Sequence, residues 1–237
     1  YDAKNPNKFI NDVRNILSKE GIFMLEFADL SSIIKFKMFD TICHEHLEYY
    51  STKVIIDLCK KNSLRVFDIK QNDINGASKQ FFICHINSNY KTNHIKINKI
   101  LKNENKLQLL SIQTYKRFMK TINTSKNELI KKLNIFKKQG KKIHCYGAST
   151  KGNVLLQYYG IDNRIIKYAA ERNQSKYNLY TPGTKIKIVS EQFSRSLMPD
   201  YYLVLPWHFK KEILIRESKI RKKGVKFIFP LPKLKII

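Results

Sequence analysis

KKIHCYGASTKGNVLLQYY, residues 141–159, decides the fold. Ile143–Tyr146 is an apolar run of strand length, Gly147–Gly152 a glycine-bounded loop, and Asn153–Tyr159 a segment with helical apolar spacing. A buried strand that passes through a glycine turn into a helix is the opening unit of an open parallel α/β sheet. The rhythm repeats downstream. Strands are expected at Ile165–Ala170, Tyr201–Leu205 and Val225–Phe229, with a turn at Pro182–Gly183 and a helix from His208 to Lys222. Residues 141–237 therefore read as one Rossmann-like α/β domain.

Toward the N-terminus the pattern changes twice. Residues 91–140 carry no strand signal, and Leu101, Leu107, Leu110, Tyr115, Phe118, Ile122, Leu129 and Leu133 suggest two helices broken near Asn123–Ser125. We read a helical connector there. Residues 1–90 return to α/β: a helix over 5–20 closed by Gly21, a strand at Ile22–Phe27 and a helix over 52–62. Strands follow at Leu64–Ile69 and Phe81–Ile86, around the Asn75–Gly76 turn. The chain begins at Tyr1, inside what reads as a domain helix, so an upstream part is expected.

Composition narrows the function. No apolar run approaches the roughly 20 residues that span a bilayer, and no secretory signal pattern is present. Cys43, Cys59, Cys84 and Cys145 stand singly, as free thiols in a reducing cytoplasm would. The net charge of +26 invites a nucleic-acid reading. Yet 37 of the 45 basic residues are Lys, and half the excess lies in residues 91–142, without the Arg and aromatic interleaving of base readers. A solvated helical face is the preferred reading, with a basic nucleic-acid-binding protein as an alternative.

Three groups could carry chemistry. Cys43-His44-Glu45-His46, followed by Tyr49, puts two imidazoles and a carboxylate in three consecutive positions. An imidazole can take a proton near neutral pH, and a carboxylate can orient it. A metal site and two satisfied surface histidines are the competing readings, although zinc helices space their histidines as HExxH. The second group is Gly147, Ser149, Lys151, Gly152 and Asn153 at a strand–helix junction, where backbone N–H groups and a lysine suit a diphosphate. Glu171, 24 residues after Gly147, stands at the offset of a ribose-binding carboxylate. By itself this pattern would also serve a nucleotide-binding, oxidoreductase-like module, but GxGxxG is missing. The third group is Trp207-His208, which could stack on a base or close the core.

Five segments together resemble the sugar C-methyltransferase family, which methylates carbon 3 of dTDP-linked 4-keto deoxysugars. They are FDTICHEHLEYYS (39–51), DINGAS (73–78), YGASTKGNVLLQY (146–158), TPGTKIKI (181–188) and PDYYLVLPWHF (199–209). The resemblance implies that residues 1–90 end a class I, Rossmann-like SAM-methyltransferase domain. Its glycine-rich SAM loop and an N-terminal zinc module would lie upstream, so no metal site is expected here. S-adenosyl-L-methionine is the implied cofactor, and a nucleotide-diphosphate sugar the implied substrate of a cytoplasmic enzyme.

By the same resemblance the general base falls on His46, with Glu45 beside it and His44 in support. The candidate substrate contacts, taken with the residue reading above, are Tyr49, Ser78, Tyr146, Gly147, Ser149, Lys151, Gly152, Asn153, Glu171, Trp207 and His208. The sequence departs from the family at Cys43, where many relatives carry Tyr, and at Ala77 and Gln80, where Gly and Arg are common. A tyrosine hydroxyl would support an enolate; a thiol does so poorly.

Overall fold

The computed structural model describes residues 2–237; Tyr1 lies outside the described residues, and with it the first residue of the N-terminal reading. The chain divides into two compact units: residues 2–36 with 44–118, and residues 37–43 with 119–237.

The first unit opens with α1 (Pro6–Ile16), which Asn5 caps by accepting the Lys8 N–H at 2.9 Å, with Pro6 supplying a first-turn φ. The helix stops before Ser18-Lys19-Glu20, short of the expected Gly21, because Leu17 takes an extended conformation. Then come β1 (Phe23–Phe27), α2 (Leu30–Phe36), α3 (Thr52–Lys61), β2 (Leu64–Asn72), β3 (Ser78–His85) and α4 (His94–Lys106). The short α2 was not legible in the sequence. β3 is inserted between β1 and β2 and runs antiparallel to both, so β1 and β2 are parallel and joined by a helical crossover. Asn75 (φ 56°) and Gly76 (φ 100°) turn the chain from β2 into β3. Ile10, Phe27, Ile55, Cys59, Leu64, Ile69, Phe81 and Ile83 form the core between helices and sheet.

The helical stretch differs from expectation in its break. α4 ends at Lys106 and α5 runs unbroken over Ile112–Lys138. The interruption falls at 107–111, where Gln108 takes φ 52° and Thr114 Oγ1 lies 2.9 Å from the carbonyls of Leu107 and Gln108. At 123–125 the helix continues, Thr124 returning its hydroxyl to the Lys120 carbonyl at 3.0 Å. Instead of standing as one connector, the stretch is shared: α4 and the start of α5 group with the first unit, and Met119 onward with the second.

The second unit adds β4 (Ile143–Tyr146), α6 (Thr150–Tyr159), β5 (Tyr168–Glu171), β6 (Lys187–Ser190), α7 (Glu191–Ser196) and β7 (Tyr201–Val204). α8 (Lys210–Arg216), α9 (Ser218–Lys222), β8 (Lys226–Phe229) and β9 (Lys235–Ile236) complete it. Its sheet runs β6-β5-β4-β7-β8-β9, parallel except for β9. Three details correct the sequence reading. β6 and α7 follow the Pro-Gly turn, β9 hydrogen-bonds to the strand expected to end the chain, and the single helix over 208–222 divides at buried Glu217. Because β4 leads leftward to β5 and rightward to β7, its carboxyl end is the topological switch point of the sheet.

Two glycines are required there. A Cβ on Gly152 would lie 2.7 Å from Leu205 Cβ, so α6 approaches the end of β7 too closely for any larger residue. At Gly147, φ is 83° and a Cβ would meet Pro206 Cδ at 2.9 Å.

Candidate functional site

Phe39–Thr41 forms a buried single 3-10 turn, grouped with the second unit. His44 and Glu45 then form an exposed turn, and His46 is half-buried in the following loop of the first unit, its ring 6.3 Å from that of Tyr49. Tyr50 closes the segment with its hydroxyl on Glu48; burial, and then that carboxylate, push the phenol up. The imidazoles are thus presented on irregular backbone, accessible for proton transfer.

At the switch point of the second unit lies a crevice of about 530 Å³. Gly147, Ala148 and Ser149 form one wall, Glu171, Arg172 and Lys176 a second, and Pro206, Phe209 and Arg216 a third. The walls are tied together. Glu171 Oε2 accepts the Ala148 N–H at 2.8 Å, and its Oε1 accepts the N–H groups of Arg172 (2.8 Å) and Asn173 (3.0 Å). Burial alone would raise the Glu171 carboxyl, but these three donors and Lys176 hold it below the usual range. Lys176 Nζ donates to the Ala148 carbonyl at 3.0 Å. Ser149 caps α6 by accepting the Gly152 N–H at 3.1 Å. Glu171 therefore serves the backbone first, a duty its sequence offset did not reveal. Tyr146, a floor residue, donates its hydroxyl to Glu217 at 2.8 Å.

Lys151, Asn153, Trp207 and His208 are absent from the lining of that crevice. Two of them, Trp207 by a hydrogen bond and Lys151 by its charge, act on Asp40 instead. Asp40 is 1% exposed, and its Oδ2 accepts the Trp207 indole N–H at 2.7 Å. Burial pushes the Asp40 carboxyl up, opposed chiefly by the charge of Lys151. Lys151 is pushed down by burial and drawn back up by Asp40 and Cys43. His208 is lowered to about 4, by burial and then by Lys151. In the second unit the buried polar atoms Asp40 Oδ1, Asn153 Oδ1, Tyr159 Oη and His208 Nδ1 have no hydrogen-bond partner among the described residues. Asp40 and Tyr159 were missed in the sequence, although Asp40 stands inside the 39–51 segment.

The 73–78 turn borders a hollow of about 520 Å³ lined by Ser31, Ser32, Ala77, Ser78 and Lys79 among others. Ser78 is buried and donates its hydroxyl to the Ile74 carbonyl at 2.9 Å. Gln80, where Arg is common, donates to Glu26 at 2.7 Å. The buried cation lining this hollow is Lys79, 1% exposed, whose ammonium meets Asp29 (2.8 Å), Ser31 (2.9 Å), Thr52 (2.8 Å) and Glu104 (3.0 Å).

Among the described residues no cluster of His, Cys, Asp or Glu is placed to hold a metal ion, all four cysteines are free, and no helix is long and apolar enough to cross a membrane. Comparison with known proteins gives two findings. The family described as C-methyltransferase C-terminal domain matches residues 73–232. The C-methyltransferase NovU of Streptomyces niveus is 28% identical over 231 residues, covering 98% of this chain and 55% of the relative. The chain thus spans little more than half the length of the curated relative it matches.

Proposed function

This chain belongs to the C-methyltransferase C-terminal domain family, and from that premise we propose that it serves a SAM-dependent C-methyltransferase acting on a nucleotide-linked 4-keto deoxysugar through an enolate. The observation that carries the reading is the family match over 73–232, more than half of the chain. The parallel β1–β2 crossover with β3 returned antiparallel between them supports reading the first unit as the end of a methyltransferase sheet.

A carbon alpha to a ketone becomes nucleophilic only when its proton leaves, so the reaction needs a positioned base. His46 is assigned that role, with Glu45 and His44 adjoining it in an accessible loop. Tyr49 flanks the imidazole and would orient it or the sugar. In the second unit the N–H groups of the Gly147–Ser149 turn, with Arg172 and Lys176, provide donors and positive charge for the nucleotide diphosphate.

SAM supplies an electrophilic methyl group when bound. The first unit does not fit it: among the described residues no strand there leads into a glycine-rich turn, and the sequence of residues 1–118 has glycine only at Gly21 and Gly76.

The test separates enolisation from methylation. The intact protein, given a 4-keto sugar nucleotide and S-adenosylhomocysteine in heavy water, should wash deuterium into carbon 3 without forming product. His46→Ala should abolish both exchange and methylation while leaving SAM affinity near the parent value. Exchange at the parent rate in that variant would remove His46 as the base and turn attention to His44.

A further inference from the structure

The loop that carries the candidate base is held at its carboxyl end, by groups far away in the sequence. His46 stands in residues 44–51, which belong to the first unit and lead into α3. Tyr49 packs edge-on against its ring at 6.3 Å. The next residue, Tyr50, is pinned twice. Its carbonyl accepts the Leu30 N–H at 2.9 Å, and its ring meets that of Phe27 edge-on at 6.2 Å. Beyond Ser51, Glu104 reaches across from α4. Its Oε1 accepts the Thr52 N–H at 2.8 Å, and its Oε2 accepts the Lys53 N–H at 3.3 Å. These are first-turn donors of α3, which have no partner inside the helix, and Ser51 Oγ takes the third, from Val54, at 3.3 Å.

Both ties converge on one ammonium. Lys79 Nζ donates to Glu104 Oε1 at 3.0 Å and to Thr52 Oγ1 at 2.8 Å. It also donates to Asp29 Oδ2 at 2.8 Å, and Asp29 immediately precedes the Leu30 that holds Tyr50. Lys79, Asp29, Thr52 and Glu104 are all at most 5% exposed. A well-packed apolar cluster of similar volume would stabilise a fold as well or better, so stability alone does not call for buried ions here. Directed bonds add something a hydrophobe cannot: they fix backbone positions, in this case on both sides of Ser51.

We propose that Glu104 and Lys79 are positioning residues for the candidate base, clamping the carboxyl end of its loop so that the His46 imidazole meets the sugar in one place. The inference rests on the assignment of His46 above. Proton removal from carbon depends steeply on placement, and a displacement of about 1 Å caused far from the chemistry can cost about 100-fold in rate. A clamp six residues along the backbone from His46 acts at that scale.

The experiment measures deuterium wash-in at carbon 3 of a 4-keto dTDP-sugar by the intact protein with S-adenosylhomocysteine, together with backbone amide exchange over residues 44–53. Glu104→Ala should lower wash-in turnover at saturating sugar by about 10- to 100-fold and leave the half-saturating concentration within about threefold of the parent. Amide exchange in the loop should quicken in the same variant. Glu104→Gln, which keeps a carbonyl oxygen for Thr52 and Lys79, should restore most of the turnover. Turnover at the parent level in Glu104→Ala would overturn the inference and leave the cluster a stabilising device only. A loss confined to the half-saturating concentration would also overturn it, by making Glu104 a substrate contact. Parent-like amide exchange over 44–53 would overturn the clamp while leaving the enolate reading intact. Should Glu104→Ala fail to fold, Thr52→Val is read by the same criteria, since it keeps every charge and deletes only the hydroxyl that Lys79 holds. If the parent shows no wash-in, or His46→Ala retains it, the reading of His46 falls and this inference with it.

Discussion

Trp207 donates its indole N–H to Asp40 Oδ2 at 2.7 Å, joining two buried residues 167 positions apart. The bond stitches the short 37–43 stretch to the 199–209 segment within the second unit. Removing the donor would leave both carboxylate oxygens of Asp40 without a side-chain hydrogen bond. Trp207→Phe should therefore destabilise the protein by about 1–3 kcal/mol in urea unfolding. Trp207 is also the sole tryptophan, so Asp40→Ala should change its emission directly. Unchanged emission and unchanged stability would deny the bond any structural role.

Lys79 offers a sharper energetic test. Its ammonium neutralises Asp29 and Glu104 with both pairs buried. Truncating it strands two carboxylates, so Lys79→Ala should cost about 3–5 kcal/mol. A triple replacement of Lys79, Asp29 and Glu104 by apolar residues should recover much of that loss, because desolvation then penalises no charge. Denaturant midpoints of the parent and the two variants decide it, and a Lys79→Ala protein within about 0.5 kcal/mol of the parent would contradict the geometry.

Gly152→Ala should be destabilising despite alanine's better helix propensity. The new methyl would stand 2.7 Å from Leu205 Cβ, a backbone-proximal atom that cannot swing away. Overpacking of this kind costs about 1–3 kcal/mol, more than the roughly 1 kcal/mol gained from propensity. A raised thermal midpoint in Gly152→Ala would show that α6 and the end of β7 are less tightly apposed than a 2.7 Å approach requires.

His144 predicts an acid sensitivity. It is buried on β4, with Nδ1 2.8 Å from Ser194 Oγ, and burial, then Lys142, hold its pKa at about 4. The folded value lies below the unfolded one of about 6.5. Between these limits the unfolded chain binds the extra proton, so the stabilising contribution is complete above about pH 6.5 and lost as pH falls toward 4. His144→Asn removes the titrating group, and the slope of unfolding free energy against pH in that window should fall by about 1 kcal/mol per unit. His208, also near 4, remains as the internal comparison. Equal slopes for parent and variant would mean that His144 is protonated without penalty.

The sequence by itself determined the local elements and the chemistry available. Strand Ile143–Tyr146 emerged with the bounds read from KKIHCYGASTKGNV, because an apolar run beside a glycine turn has few alternatives. Helix Thr52–Lys61 and strand Phe23–Phe27 likewise followed from local spacing and capping. The resemblance carried by five short segments pointed to the family later matched over 73–232.

Only the tertiary structure decided what each polar group faces. The loop 147–153 reads as one phosphate cradle, yet successive helical side chains diverge by about 100°. Gly147–Ser149 consequently line the switch-point crevice, while Lys151 and Asn153, a short distance along the chain, do not. Asp40 looks like an ordinary polar residue until Trp207, 167 positions later, closes over it. The break at Gln108 and the strand β9 escaped notice for the same reason: a left-handed turn and a late edge pairing depend on partners that no local window contains. Burial and long-range pairing set the charge of Lys151, His144 and Glu171, and those are properties of position in the fold, not of residue type.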